Sequence, residues 1–425
     1  MSFPKYPAYK DSGVEWIGEI PVGWNMVQLK RIISVVYGDN LKNEDRAEDG
    51  SVPVYGSNGV VGFHNISNAP SPTIMIGRKG SCGALNWSQI PAFAIDTVFF
   101  VELSSLINMR WVYWFLHILN LASLSQDTGV PGLSRETLYS QLVTFPSLPE
   151  QQAIASFLDR ECGKIDALIA KQERLIALLA EKRQAVISHA VTKGLNPNAP
   201  MKESGIPWIG MVPEGWKVRP LKNVASVQTG IAKGKDVSEE KSVKIPYLRV
   251  ANVQDGYLDL SELTMIYIDS DQVERYLLQK GDVLMNEGGD FDKLGRGAIW
   301  HGEIAPCVHQ NHVFAVRPKV IISEWLSAVI RSDYAKFYFM TRAKQSTNLA
   351  SISSTNLMTL PTIVPPPEEQ KLIVKFLKIE QGKFENMITA AKTTITLLKE
   401  RRSALISAAV TGKIDVRNQN KAIAA

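Results

Sequence analysis

Between residues 150 and 192 apolar side chains recur at heptad spacing. Leu158, Ile165, Leu179 and Val186 hold one heptad position, with Gln172 as its exception. Ile154, Leu168 and Leu175 hold a second, interrupted by Glu161, and Ile169 and Ile176 widen the stripe. A stripe of this period predicts an amphipathic helix. No proline falls inside the segment, and Gly194 is placed to stop it. Residues 369–411 repeat the pattern with Ile373, Leu377, Phe384, Met387, Ile388, Ile395, Leu398 and Leu405. The repeat weakens in the middle, where Ala391 and Thr394 stand at stripe positions. Some 40 residues at ~1.5 Å each make a helix of roughly 60 Å, longer than an ordinary domain can cover. Either each stripe packs on its own domain or the two helices cover one another, and their length favours the second. The segment Gly194–Ser204 is short, so the second globular region starts near the far end of the first helix. The second helix then runs back. The expectation is an antiparallel coiled coil with pseudo-two-fold symmetry and a globular domain at each end. Ile165, Leu168 and Leu179 are expected to face the set Phe384, Leu398 and Leu405.

Outside the helices the period shortens. Val52–Tyr55, Thr73–Ile76 and Ala92–Leu103 read as strands, and Arg110–Leu119 as an aromatic-rich helix. Further on, Tyr247–Val250, Gly281–Met285 and Val313–Arg317 read as strands, followed by a helix from Glu324 to about Arg342. Glycine-rich turns separate the strands in both regions. The fold class is therefore α+β: two mixed, β-dominated domains in tandem, each followed by a long helix. The expected boundaries are a first domain over 1–148, a spacer helix over 149–194 and a linker over 195–203. A second domain over 204–365, a spacer helix over 366–413 and a tail over 414–425 follow.

The same frame is written twice. Ser12 to Trp24 reads SGVEWIGEIPVGW and Ser204 to Trp216 reads SGIPWIGMVPEGW, with Leu29-Lys30 and Leu221-Lys222 downstream. Glu150-Gln151, Phe157-Leu158 and Ala190-Val191-Thr192 return as Glu369-Gln370, Phe376-Leu377 and Ala409-Val410-Thr411. The middles differ. Trp16, Trp24, Trp208 and Trp216 recur whatever lies between, which favours a role as packing anchors.

With 425 residues and 45% hydrophobic content the chain can bury two or three cores. Its three cysteines lie far apart, so neither a disulfide scaffold nor a zinc ribbon is expected. The N-terminal residues lack an apolar run, so a signal peptide is not expected there. The most membrane-like stretch, Trp111 to Leu124, is too short and contains His117 and Asn120. These features suggest a cytoplasmic protein. A net charge of +5 permits nucleic-acid binding without establishing it. Catalytic patterns do not emerge. Gly230–Lys235 (GIAKGK) has the wrong spacing for a phosphate-binding loop, and His309 and His312 lack the carboxylates of a metal cluster. Pro365-Pro366-Pro367 is followed by Glu rather than by the aromatic residue of an amino-methyltransferase loop.

Three features recur in tandem: WIGxxPxGW followed by Leu-Lys, a proline shortly before Glu-Gln at the start of a long helix, and unlike middles. Together, over nearly the whole chain, they resemble the specificity subunit of a Type I restriction–modification system. The resemblance implies a non-catalytic reader of double-stranded DNA. Each globular domain would be a target recognition domain for one half of an asymmetric bipartite site. The helices would set the spacing and dock two methyltransferase (modification) subunits. S-adenosylmethionine, ATP and magnesium would then belong to partner subunits, the last two to translocase–nuclease (restriction) subunits, with no cofactor bound by this chain. The competing reading is a stand-alone tandem-domain DNA-binding regulator, which a helix-turn-helix pattern would support; none is found.

Base-reading candidates are polar and basic residues on glycine-rich loops, where backbone can approach a groove. In the first domain these are Asn40, Lys42, Asn58, Arg78, Lys79 and Ser81. In the second they are Lys233, Lys235, Arg249, Asn252, Asn286, Arg296, Gln345, Ser346 and Thr347. Arginine suits guanine O6/N7 and asparagine suits adenine N6/N7. The plainer alternative is that loop cations are solvated and that asparagine beside glycine makes a turn.

Overall fold

The structure, a computed structural model, describes residues 3–47, 49–103, 107–125, 132–232, 242–289, 294–345 and 350–418. Two compact units emerge. One joins Met1–Glu173 to Lys392–Ala425, and the other is Arg174–Ala391. The division falls inside both long helices, Leu148–Lys193 and Pro367–Val410. At 46 and 44 residues these span about 70 and 65 Å. Each unit thus holds the start of one long helix and the end of the other.

Within each unit the strands follow one plan. In the first, a four-stranded antiparallel sheet has the spatial order Ile33–Tyr37, Val98–Leu103, Thr73–Gly77, Leu85–Ser88. In the second the order is Ala225–Thr229, Val313–Pro318, Val283–Asn286, Gly297–Ile299. A three-stranded sheet accompanies each, Gly59–His64, Val52–Gly56, Phe93–Ala94 in one and Thr264–Asp269, Ser242–Leu248, Val308–His309 in the other. In both, the last pair is parallel. The expected strand Ala92–Leu103 is in fact two, Phe93–Ala94 and Val98–Leu103, each belonging to a different sheet.

The central strands read as unbroken apolar runs because both of their faces are covered. Along Thr73–Gly77, Ile74 and Ile76 enter the core beneath the helix Met109–Leu116, while Met75 joins a second cluster with Tyr55, Ala94 and Phe100. Val283 and Met285 likewise part from Leu284. Alternation at period two sends neighbours to opposite faces, and each large side chain fully buried this way stabilises by roughly 1.5–3 kcal/mol.

The repeated motifs are joints. Trp24 is 1% exposed and its Nε1 donates to Glu150 Oε1 at 3.2 Å; Trp216, also 1% exposed, donates to Glu369 Oε2 at 2.8 Å. Gln151 donates from Nε2 to the Pro146 carbonyl (3.0 Å) and accepts at Oε1 from the Asn108 amide (3.0 Å). Gln370 does the same with Pro365 (2.9 Å) and Ile322 (3.1 Å). The Glu-Gln pair therefore fastens the first turn of each long helix to the tryptophan motif and to the helix that covers the sheet. Both long helices stop at a left-handed glycine, Gly194 (φ +74°) and Gly412 (φ +73°), a conformation that costs other residues far more.

In the first unit Ile154, Leu158, Cys162 and Ile165 of the first long helix share a core with Ile406, Ala409 and Val410 of the second. Arg402 meets Asp166 at 2.8 Å, and Thr144, just before the first helix, donates to the Val410 carbonyl at 2.6 Å. The second unit repeats this with Ile187, Ala190, Val191, Ile373 and Leu377.

Several expectations are corrected. Leu168 is 46% exposed and Leu175 42%, so the second heptad position is open beyond Ile154. Trp16 (55% exposed) and Trp208 (40%) are not buried anchors, unlike Trp24 and Trp216. The helix expected from Glu324 to Arg342 is two, Ser323–Ile330 and Asp333–Arg342, broken at Ser332 in extended backbone. The break serves the first long helix: Gln184 Nε2 donates to the Arg331 carbonyl (2.6 Å), and the Asp333 amide donates to Ser188 Oγ (2.8 Å).

Gln370→Ala is expected to lower stability by about 1–3 kcal/mol, because a half-buried amide and a buried carbonyl lose their partners together. Urea unfolding of the variant checks this, and an unchanged midpoint would remove the joint from the account. A second expectation concerns pH. His309 is fully buried; its Nδ1 donates to the Val313 carbonyl at 2.7 Å, and burial holds its pKa below the usual 6.5. His117 is lowered for the same first reason. A histidine kept neutral by the fold binds fewer protons than in the unfolded chain, so stability is full above pH ~6.5 and falls as pH drops below it. His309→Gln should flatten that dependence in urea midpoints measured from about pH 7.5 to 5.

Candidate nucleic-acid interface

In the first unit a hairpin tip and a loop are pressed together. The hairpin Val52–Gly56 to Gly59–His64 turns at Ser57-Asn58, and the chain leaves Thr73–Gly77 into the loop 78–84. A Cβ on Gly77 would stand 2.2 Å from the Ser81 carbonyl oxygen and 2.6 Å from that of Ser57. Only glycine permits this approach. It brings the Ser57-Asn58 turn against the loop that carries Lys79 and Ser81, and Asn58, Lys79 and Ser81 are exposed.

Arg78 is more constrained. Its guanidinium lies 4.9 Å from the Tyr37 ring centroid and 5.9 Å from that of Phe99, and Nη1 donates to the Asp96 carbonyl at 2.8 Å. Arg135, at the start of the short helix Arg135–Tyr139, approaches the same Tyr37 ring at 5.5 Å. Tyr37, Arg78, Lys79, Leu133, Ser134 and Thr137 line a cleft of about 270 Å³. Stacking fixes the plane of a guanidinium while leaving its edge to donate, which suits bidentate contacts to bases or phosphates. Tyr37 and Arg135 were not singled out from the sequence, where they lie far from Arg78. Asn40 and Lys42 are exposed, with Lys42 3.4 Å from Glu44.

The second unit distributes its candidates differently. Asn252 is 3% exposed; its Oδ1 accepts from the Arg249 amide (2.9 Å), and its Nδ2 donates to the carbonyls of Asp259 (2.8 Å) and Glu262 (2.9 Å). Asn286 is 6% exposed and donates to the Val253 carbonyl at 3.0 Å. Both amides organise backbone inside the domain, Asn252 at the turn after Ser242–Leu248 and Asn286 at the end of its strand. Arg249 is half-buried, and Arg296 donates to Gln254 Oε1 at 2.9 Å. Gln345 is exposed on the short strand Lys344–Gln345, which pairs with Ala350–Ser351. Lys233, Lys235, Ser346 and Thr347 lie outside the described residues. Glu287 and His312, also not singled out as readers, pair on the surface at 2.6 Å. His309, the other histidine of the HQNH segment, is turned into the core.

Asn252→Ala is expected to destabilise the chain by about 1–3 kcal/mol for each buried group it strands. The loss would be seen in unfolding midpoints. A substitution that left stability intact but altered binding to nucleic acid would reverse the assignment.

A model of the Type I restriction modification DNA specificity domain matches residues 21–176 and again residues 213–397. Over 202 residues the chain is 29% identical to a putative type I restriction enzyme MjaX specificity subunit of Methanocaldococcus jannaschii, covering 47% of this chain and 46% of that one. Over 321 residues it is 27% identical to the type I restriction enzyme EcoBI specificity subunit of Escherichia coli, covering 72% and 66%. The chain thus spans about half to two thirds of the length of these relatives. One solved chain, from work on complex assembly and conformational transition of the type I R-M system, aligns over 92% of this chain and 98% of its own. Its TM-score is 0.68 at 13% identity, a likeness of fold.

Proposed function

The chain belongs to the Type I restriction–modification DNA specificity family, and we propose that it is the DNA-reading subunit of such a system. Each domain reads one half of an asymmetric, two-part duplex site. The observation that carries this reading is the duplicated frame. The tryptophan–glutamate and glutamine joints repeat bond for bond, whereas the loops at the sheet ends differ in charge and shape. Two unlike readers on one frame suit two unlike half-sites, since a palindrome needs identical readers.

In this reading the long helices pair as an antiparallel coiled coil with pseudo-two-fold symmetry and act as a ruler. They also carry open apolar side chains at repeat-related positions: Leu168 (46% exposed) with Met387 (44%), and Leu178 (43%) with Leu397 (59%). Surface of this kind, presented twice, supports two copies of one partner. That partner is the adenine methyltransferase subunit, which brings S-adenosylmethionine. Translocase–nuclease subunits bring ATP and magnesium, and this chain is non-catalytic. Among the described residues no helix is long and apolar enough to cross a membrane, and a DNA partner implies a cytoplasmic location.

The test is an assembly of this chain with its methyltransferase subunit, assayed for methylation on duplexes of varied spacing. Inserting one heptad into both helices should lengthen the ruler by about 10 Å, or roughly three base pairs. The gap between half-sites should grow while the half-sites stay the same. Methylation by the single chain alone, or half-sites that change with the insertion, would refute the proposal.

A further inference from the structure

Arg78 and Glu287 stand at one and the same corner of the repeated fold. Each directly follows the third strand of its four-stranded sheet, after Gly77 opposite Val98 and after Asn286 opposite Val313. The Arg78 amide donates to the Thr97 carbonyl (2.8 Å), and its carbonyl accepts from the Leu133 amide (2.9 Å). The Glu287 amide donates to the His312 carbonyl (2.9 Å), and its carbonyl accepts from the Ile352 amide (2.9 Å). The next residue is bridged alike, Lys79 to Gly132 and Gly288 to Ser351. The same main-chain bonds frame this corner in both copies, and what varies is the side chain. It differs completely.

In the first copy the side chain is a guanidinium stacked on Tyr37; at Tyr37's place the second copy has Thr229, by the matching registers Phe99 to Tyr37 and Phe314 to Thr229. In the second copy it is a carboxylate with a side-chain exposure of 28%, whose Oε2 accepts from His312 Nδ1 at 2.6 Å. The imidazole occupies Oε2 and leaves Oε1 to accept. We infer that Arg78 and Glu287 are equivalent base-reading residues, one per half-site: Arg78 takes the acceptor edge of a guanine and Glu287 the amino group of a cytosine. These pairings follow from donor and acceptor complementarity in the major groove. The inference rests on the proposed function and assigns the residues that set its specificity. Tyr37 and His312 are positioning residues for the two readers.

The experiment uses the complete assembly with its methyltransferase subunits. Methylation is measured on duplexes in which every base pair of both half-sites is replaced singly, at two salt concentrations. Arg78→Ala should lose about ten-fold or more of the discrimination at one G·C pair in one half-site and leave the other half-site unchanged. Glu287→Gln should move the preference at one position of the other half from cytosine towards adenine, whose N6/N7 edge suits an amide. The undisturbed half-site in each variant reports that the assembly is folded. Tyr37→Ala should weaken the same base pair as Arg78→Ala, while Tyr37→Phe, which keeps the ring, should restore it. A uniform loss over all duplexes with a shallower salt dependence would make these residues phosphate contacts and overturn the inference. So would unchanged base preferences. An unsubstituted assembly without any two-part preference would instead bring down the proposed function itself, and the control alone reveals that outcome.

Discussion

The buried glutamine at the start of each long helix is the contact on which the rest depends. Gln151 and Gln370 each join three chain segments with one amide: the proline two residues ahead of their own helix, the start of the helix covering the sheet, and their own first turn. An amide sealed from water is held to those partners because each broken bond would strand a polar group, at about 1–3 kcal/mol. The neighbouring glutamate ties the same turn to a buried indole. A helix of some 65–70 Å acts as a lever; a small change of angle at its base would displace its far end by several ångströms. Rigid joints at the base are what the proposed role of the helices as a ruler requires.

Above the joints the architecture separates what must stay from what can vary. Sheet order, strand register and the parallel strand pair recur in both units. At the corner holding Arg78 and Glu287, the frame is built from backbone groups that every residue but proline possesses. Side chains there can differ: Arg78 bonds the Asp96 carbonyl through Nη1, and Glu287 bonds His312 through Oε2. Elsewhere the commitment is deeper: Asn252 and Asn286 are buried, with side chains bonded to neighbouring carbonyls. Likewise Arg317 grips the buried Asp282 through two bonds of 2.7 and 2.8 Å. A charge on a loop reaches a ligand only through the donors and acceptors that the fold leaves unclaimed.

The units are not the two halves of the sequence. Each takes the end of the long helix that begins in the other repeat, so that Ile406, Ala409 and Val410 complete the core around Trp24, as Ile187, Ala190 and Val191 do around Trp216. The repeated Ala-Val-Thr segment at the end of each helix is explained by this exchange. It marks a core position in the other repeat's domain.

The sequence by itself determined the two long helices, the duplication and the β-dominated middles. All three are written in local periodicity or in direct repetition. The joints were visible as recurring residues, since a frame used twice must keep the same contacts. Tertiary structure decided the rest. Periodicity marked Leu168 and Leu175 as stripe residues, but whether a stripe is covered depends on the segment facing it, and both are open. Four tryptophans recur, yet only Trp24 and Trp216 find a carboxylate partner and a core. The break at Ser332 comes from groups on Gln184 and Ser188, almost 150 residues away, that take over the backbone bonds a continuous helix would make. Arg78 could be named from its glycine-rich loop. Tyr37, Arg135 and the equivalence with Glu287 could not, because they arise from strand pairing between distant segments. Which side chains stand together at a sheet end is settled by register, and register is a property of the folded sheet.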